Sequence, residues 1–447
     1  MASGAATALK LRFRPRAALG QAVVFAYVFL LSGAVLPPLL ASGGAGTVDL
    51  DAGLPGLQVA MAALLAAVGV LFCLRFWRRP VVPLLKAAWL PIAFAVLAAA
   101  SSLWSVNQEL TARRSLALAG AVLVAAYLVG ALGYKRTVKL VTVLLAAAAL
   151  LSVVVAVVVP DLGVHQVGAH VGRWKGVYLH KNLLGREMAL AGGLFAVAAI
   201  HARRAGGRLF WVMMTVLAVA LIVQAQSATG LVAVAGAVGT ALVVRMVRGR
   251  PALAAAFVAL VLVGVTVAGM LVSLAPDRLF ALVGRDVSVT GRTTLWSLVL
   301  GKAEEQPVLG HGYRAFWASP GGEAISQTLA WRVGHAHNSW LDVGLDLGVV
   351  GLLLVAALVF LPLRRWLMAG RSASRYHEVG VVVAVAALLV SMSDSVLLGP
   401  NNVFLLLLFV QCVAGAQAYL PVGALRSGAA GAAMAARTAG REGPARS

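Results

Sequence analysis

The run Trp331-Arg332-Val333-Gly334-His335-Ala336-His337-Asn338-Ser339-Trp340 holds the residues best suited to chemistry. An imidazole with a near-neutral pKa is the natural proton acceptor for a hydroxyl nucleophile. That makes His337 the candidate base, with His335 beside it and Asn338 placed to cap or orient. A metal pair is the rival chemistry, but His-x-His with only Asp342 nearby is a weak ligand set. The bland alternative is a histidine that simply opens a helix.

Two further runs supply cations. In Gly172-Arg173-Trp174-Lys175-Gly176-Val177-Tyr178-Leu179-His180-Lys181-Asn182, Arg173 and Lys175 sit on a Gly-flanked turn before a helix expected to start near Asn182. The positive end of that helix adds to an anion site in which Lys181 and Asn182 also take part. Interfacial anchoring by Arg, Trp and Tyr at the lipid headgroups is the competing reading. The second run joins Thr290-Gly291-Arg292-Thr293-Thr294-Leu295-Trp296 to Pro307-Val308-Leu309-Gly310-His311-Gly312-Tyr313-Arg314-Ala315-Phe316-Trp317. Thr293 is placed to cap a short amphipathic helix through Leu295, Trp296, Val299 and Leu300, lying on the membrane surface with Arg292 at its start. Gly310 and Gly312 permit a tight turn that presents Tyr313 and Arg314. A loop staple with aromatics docked on lipid competes with that reading.

The elements that position these groups are membrane helices. Of 447 residues, 61% are hydrophobic and 12% charged, against about 25% charged in soluble domains. Apolar runs long enough for a helix of roughly 17 to 25 residues fall near 18–40, 55–74, 84–101, 114–132, 139–159, 183–201, 208–225, 229–245, 252–274, 338–361, 378–396 and 401–420, so twelve spans are expected. Residues 1–420 read as a single transmembrane catalytic domain, with a long loop over 275–337 between the ninth and tenth helices. Residues 421–447 read as a disordered cytoplasmic tail. The run that follows Arg16 exceeds a signal-peptide core of about 7 to 15 residues and reads as a retained first helix. A tight turn or a broken helix is expected at Gln224 to Gly230.

The net charge of +22 belongs to topology rather than to nucleic acid, because 25 of the 37 Lys and Arg fall in alternate segments that become cytoplasmic when both termini are inside. Of the remaining twelve, ten lie near 160–186 or in 275–337, and these are the candidate anion ligands. Cys73 and Cys412 lie in apolar runs without a CxxC and carry no redox or zinc signal.

Taken in order, Gly-Arg-x-x-Gly-x-x-x-His-Lys-Asn, Gly-Arg-Thr-x-x-Trp, Gly-His-Gly-Tyr-x-x-Phe-Trp and His-x-His-Asn-x-x-Leu-Asp resemble the superfamily of O-antigen ligases and polymerases. The likeness is greatest to its Wzy-like exopolysaccharide polymerases and runs from about Trp104 to Asn402. The resemblance implies an all-α, GT-C-like polytopic protein of the bacterial inner membrane, with its active site on the periplasmic face. It implies transfer, with inversion and without metal or cofactor, of a glycan from an undecaprenyl-pyrophosphate carrier to the hydroxyl of a lipid-linked glycan acceptor. By the same resemblance Arg173 and Arg292 match the two loop arginines, His337 the base and Asn338 its neighbour. Membrane lipid is an implied partner, and a flippase or chain-length regulator is a protein partner it leaves room for.

On that reading Arg173, Arg292, Arg314 and Lys181 take the diphosphate. His337 takes the proton, and Tyr313, Trp317 and Trp340 are candidates for stacking on sugar. A ligase acting on lipid A core would use the same residues. A transporter is the non-enzyme alternative, though Glu187, Asp346 and Asp394, near the span ends, are few ionisable groups for coupling ions.

Overall fold

In the computed structural model, Ala26 and residues 55–76, 82–274, 292–399 and 402–417 are described. The expected first span, Arg278, Arg285, Thr290, Gly291 and the tail after 417 lie outside the described residues. The architecture is all-α. Helices run over Pro55–Phe76 (α1), Val82–Ala87 (α2), Trp89–Ala100 (α3), Gln108–Tyr127 (α4), Tyr134–Val158 (α5), Lys181–Ile200 (α6), Ala205–Gln224 (α7), Ala228–Met246 (α8), Pro251–Leu274 (α9), Arg292–Glu305 (α10), Pro320–Leu329 (α11), Ser339–Ala369 (α12), Arg375–Ser391 (α13) and Val403–Gln417 (α14). The one β-type pairing among the described residues is an isolated bridge between Val164 and Trp174.

The expectation of twelve spans is overturned. Among the described residues six helices are long and apolar enough to cross a membrane: α4 with its extension to Leu132, α5, α6, α7, α8 and α12. The other runs misled because apolar sequence marks burial of either kind, in lipid or in protein. The run at 84–101 divides at Ala88 and leaves α3 with 12 residues, closed by a 3-10 turn in which the Ser101 and Ser102 hydroxyls donate to the carbonyls of Ala98 and Ala99. The α13 and α14 helices have 17 and 15 residues, and the side chains of 379–388 and 403–413 are buried inside the bundle. They are hydrophobic because they are its core. For the runs at 55–74 and 252–274 the described apolar parts are Ala62–Leu74 and Pro251–Val261. The placement of a long loop between a ninth and a tenth span goes with the count, and from Arg292 onward that segment carries α10 and α11.

The turn at Gln224 to Gly230 separates two helices. Ser227 caps α8, its Oγ accepting the Gly230 N–H at 3.2 Å, and Gln226 has φ 48°. The α12 helix is broken near its start, with Gly348 at φ 60° and ψ −159°. Residues 307–312 lie against the break: the N–H groups of His311 and Gly312 donate to the carbonyls of Leu345 and Asp346, and that of Val349 donates to Pro307, each at 2.9 Å. The opened turn thus finds its partners in protein, as irregular backbone among spans must. The backbones are too close for side chains, since a Cβ on Gly310 would lie 2.4 Å from the Asp346 carbonyl carbon and one on Gly348 2.3 Å from that of Val308.

Candidate active site

The first turn of α12 sets the geometry. Asn338 is its N-cap, Oδ1 accepting the N–H groups of Trp340 at 3.0 Å and Leu341 at 3.4 Å. One turn on, Asp342 is buried and its carboxylate accepts from the Ala336 N–H at 2.8 Å, the Trp317 indole at 3.0 Å and the Ser395 hydroxyl. The Ala336 carbonyl in turn accepts the Trp296 indole at 2.9 Å. Both backbone groups of Ala336 are therefore held, and the histidines on either side are held with it.

His337 has φ 51°, a left-handed conformation that costs a non-glycine residue roughly 1–2 kcal/mol. Its N–H donates to His335 Nδ1 at 3.1 Å, and the two ring centroids are 4.0 Å apart. Strain of this kind is retained where surrounding bonds over-determine it, which happens often at functional sites. Burial pushes the His337 imidazolium well below its ordinary range, the charges of His335 and Arg292 add to this, and Asp394 opposes it. The ring is neutral at neutral pH and has a lone pair to receive a proton.

Beneath it lies a residue the sequence reading left without a role. Asp394, in the turn after α13, pairs with Arg186 of α6 at 3.0 Å, and Arg186 also lies 3.7 Å from Glu187. The Asp394 carbonyl accepts the Ser339 hydroxyl at 2.7 Å, and that hydroxyl accepts the Val396 N–H at 2.9 Å. Thr229 and Ser393 share a hydrogen bond of 2.7 Å, and the Trp340 indole donates to Ser391 at 3.0 Å. Burial alone would raise the Asp394 pKa, but Arg186, His335 and His337 outweigh it and hold the carboxyl below its usual value. The available signal was an ionisable group at the edge of an apolar run.

The 160–182 segment forms the facing wall. Its small hairpin is held by His165 N–H to Arg173 O at 3.0 Å, Gly172 N–H to His165 O at 2.9 Å and Lys175 N–H to Gly163 O at 2.9 Å. Arg173 donates to His170 Nδ1 at 3.0 Å. His180 caps α6, its Nδ1 accepting the Asn182 N–H at 3.2 Å, so the helix starts at Lys181. Lys181 itself is buried, with its ammonium on the Gln226 carbonyl at 3.3 Å. Asn182, half-buried, occupies the second position of the helix. His180 lies within electrostatic reach of His337, as Asp394 does of His180, so the wall and the α12 turn share one electrostatic neighbourhood.

Arg292 opens α10, with Leu295 and Val299 buried beneath the helix, so Thr293 lies inside the first turn and not at the cap. Arg314 has φ 53°, its N–H donates to Asp346 Oδ2 at 2.9 Å, and its carbonyl accepts from Arg114. It therefore stands one α12 turn beyond Asp342. The sugar-stacking reading fails for Tyr313, which is 0% exposed, packs edge to face on Phe94 and donates its hydroxyl to the Leu398 carbonyl. Trp317 and Trp340 are half-buried with their indole N–H groups committed to Asp342 and Ser391. Sequence reasoning placed Arg186 only among ten candidate anion ligands and Asp342 only beside a weak metal pair, and it gave Asp394, Arg114, His165, His170 and His180 no individual role at the site. Among the described residues no group of three His, Cys, Asp or Glu is set to hold a metal ion.

Residues 213–356 match a family model, Wzy_C, described as O-Antigen ligase. The chain is also similar to exopolysaccharide production protein ExoQ of Rhizobium meliloti (strain 1021), with 29% identity over 226 residues. That alignment takes in 48% of this chain, and the chain spans about half (51%) of the length of the curated relative it matches.

Proposed function

Because the chain belongs to the superfamily of O-antigen ligases and polymerases, we propose that it is a membrane glycosyltransferase that polymerises oligosaccharide repeats carried on undecaprenyl pyrophosphate. The observation that carries this reading is the neutral, strained His337, flanked by His335 and within the fields of Arg292 and Asp394. Such a group suits removal of a proton from an alcohol beside a departing anion.

In the proposed reaction the hydroxyl oxygen of a lipid-linked acceptor attacks the anomeric carbon of the donor glycan from the face opposite the phosphate. The new C–O bond forms as the anomeric C–O(P) bond breaks, and its electron pair leaves with undecaprenyl pyrophosphate. His337 accepts the hydroxyl proton. Arg173 and Arg292 neutralise the charge that grows on the leaving group, which a guanidinium does bidentately. Asp394 favours the transient imidazolium, and Arg186 keeps Asp394 in place. The periplasmic site is the one that the family resemblance implies; the alternation of Lys and Arg, counted on twelve spans, does not carry over to six.

A second reading has its own support: the family model is described as a ligase, whereas the matched relative is named for exopolysaccharide production. Reconstitution with a lipid-linked repeat alone separates the two. A polymerase yields a ladder of lipid-linked oligomers without nucleotide sugar. A ligase yields product only when lipid A core is added. Absence of product in both cases overturns the transferase reading and leaves a transporter.

A further inference from the structure

His165, His170 and His180 stand outside the proposed reacting pair, and their rings meet edge to face with centroids 5.1 to 5.7 Å apart. Each ring has one nitrogen acting as an acceptor. His165 Nε2 accepts the Lys181 N–H at 3.2 Å, His180 Nδ1 accepts the Asn182 N–H at 3.2 Å, and His170 Nδ1 accepts from Arg173 at 3.0 Å, since a guanidinium has only donors. A nitrogen that accepts an N–H carries no proton. Each ring is therefore neutral, with its proton on the opposite nitrogen: Nδ1 of His165 and Nε2 of His170 and His180.

Three N–H donors of fixed tautomer thus lie on rings whose centroids are within 5.7 Å of one another. Burial first, then the neighbouring cations and histidines, lowers the pKa of His165 and His180 to about 4, so the neutral state persists at neutral pH. The cations that reach His165 are Lys175, Lys181 and Arg173, while Lys181 and the carboxylate of Asp394 reach His180. The 20-residue α6 helix begins at the same point and adds its positive end. Donors and positive potential together call for a ligand rich in acceptor oxygens. A metal ion needs the lone pairs that the amides and Arg173 already occupy, and the remaining nitrogens present N–H.

We propose that His165, His170 and His180 form a neutral hydrogen-bond cradle which, beside Arg173, binds one phosphate of a polyprenyl diphosphate. The identity of the diphosphate rests on the proposed function; the requirement for a phosphate-like oxyanion rests on the cradle itself. Arg173 supplies charge, and the histidines supply direction without adding charge that would retain the more anionic product.

The full-length chain in nanodiscs is titrated with undecaprenyl diphosphate and, separately, with inorganic pyrophosphate. His180→Asn removes the ring donor but leaves a side-chain oxygen to cap α6. His170→Ala removes a donor from a residue that does not cap the helix. Each variant, with its melting temperature unchanged, is expected to bind undecaprenyl diphosphate at least about tenfold more weakly, as befits a lost hydrogen bond to a charged group. Weakening toward both probes identifies a phosphate cradle, and weakening toward the lipid alone identifies one that needs the polyprenyl tail for binding. Folded variants that both bind within twofold of wild type overturn the cradle, even if glycan transfer is observed. Weakened binding by a chain that transfers no glycan leaves the cradle standing and removes the transferase reading.

Discussion

The Arg186 guanidinium donates to the Asp394 carboxylate at 3.0 Å across the base of the candidate site, tying the start of α6 to the turn after α13. Their side chains are only 13% and 17% exposed, so removing Asp394 leaves the guanidinium only Glu187, at 3.7 Å, as a counter-charge. Asp394→Ala is expected to destabilise the protein by about 3–5 kcal/mol, measured as a fall in detergent-resistant melting temperature. Asp394→Asn should melt closer to wild type and still lose transfer at least about tenfold, because the carboxylate no longer offsets charge on His337. Wild-type transfer by Asp394→Asn would exclude that role.

His337→Ala and His337→Gln are expected to retain donor binding and to lose transfer by roughly 10²- to 10⁴-fold, the usual range for removing a general base. His335→Ala should lose less, because His335 acts by accepting the His337 N–H. The measurement is single-turnover transfer alongside equilibrium binding of donor. If the only defect of His337→Ala is loss of binding, it is not the base.

The pH profile follows from the direction of the His337 shift. A base whose pKa is lowered is in its working, unprotonated form above that pKa and is lost as pH falls through it. The acid limb of kcat/KM should therefore lie below the ordinary histidine value of about 6.5. A limb at or above that value would show that protonation of His337 does not control the acid side.

Arg173→Ala and Arg292→Ala should reduce transfer severely, and Lys should rescue poorly because the planar fork is lost. Chelator should leave wild-type transfer unchanged. Loss of activity with EDTA, regained on adding a divalent ion, would favour a metal centre at His335 and His337 instead.

The proposed periplasmic orientation is testable at two exposed positions on either side of the α12 span, Ala318 and Ser374. Single cysteines placed there, in a chain lacking the exposed Cys73, should label from opposite sides of the membrane. Labelling from one side would remove the periplasmic assignment.

Composition alone was enough to specify a helical membrane protein, because a chain with 12% charged residues has few ways to satisfy its backbone in lipid except helices. Motif spacing singled out Arg173, Arg292 and His337 as candidates and made the Asn338 cap legible, because a cap acts over a few residues. The number of spans was not legible, since Val403–Gln417 and Arg375–Ser391 are as apolar as lipid-facing helices yet are buried in protein. Nor was the pairing of Arg186 with Asp394, 208 residues apart, or the gathering of Trp317, Ala336 and Ser395 on Asp342. A carboxylate near the end of an apolar run has the same local sequence whether it faces solvent or holds the first turn of another helix. Only the packing of helices distant in sequence brings its partner to it, and so only the tertiary structure decided which charges surround His337.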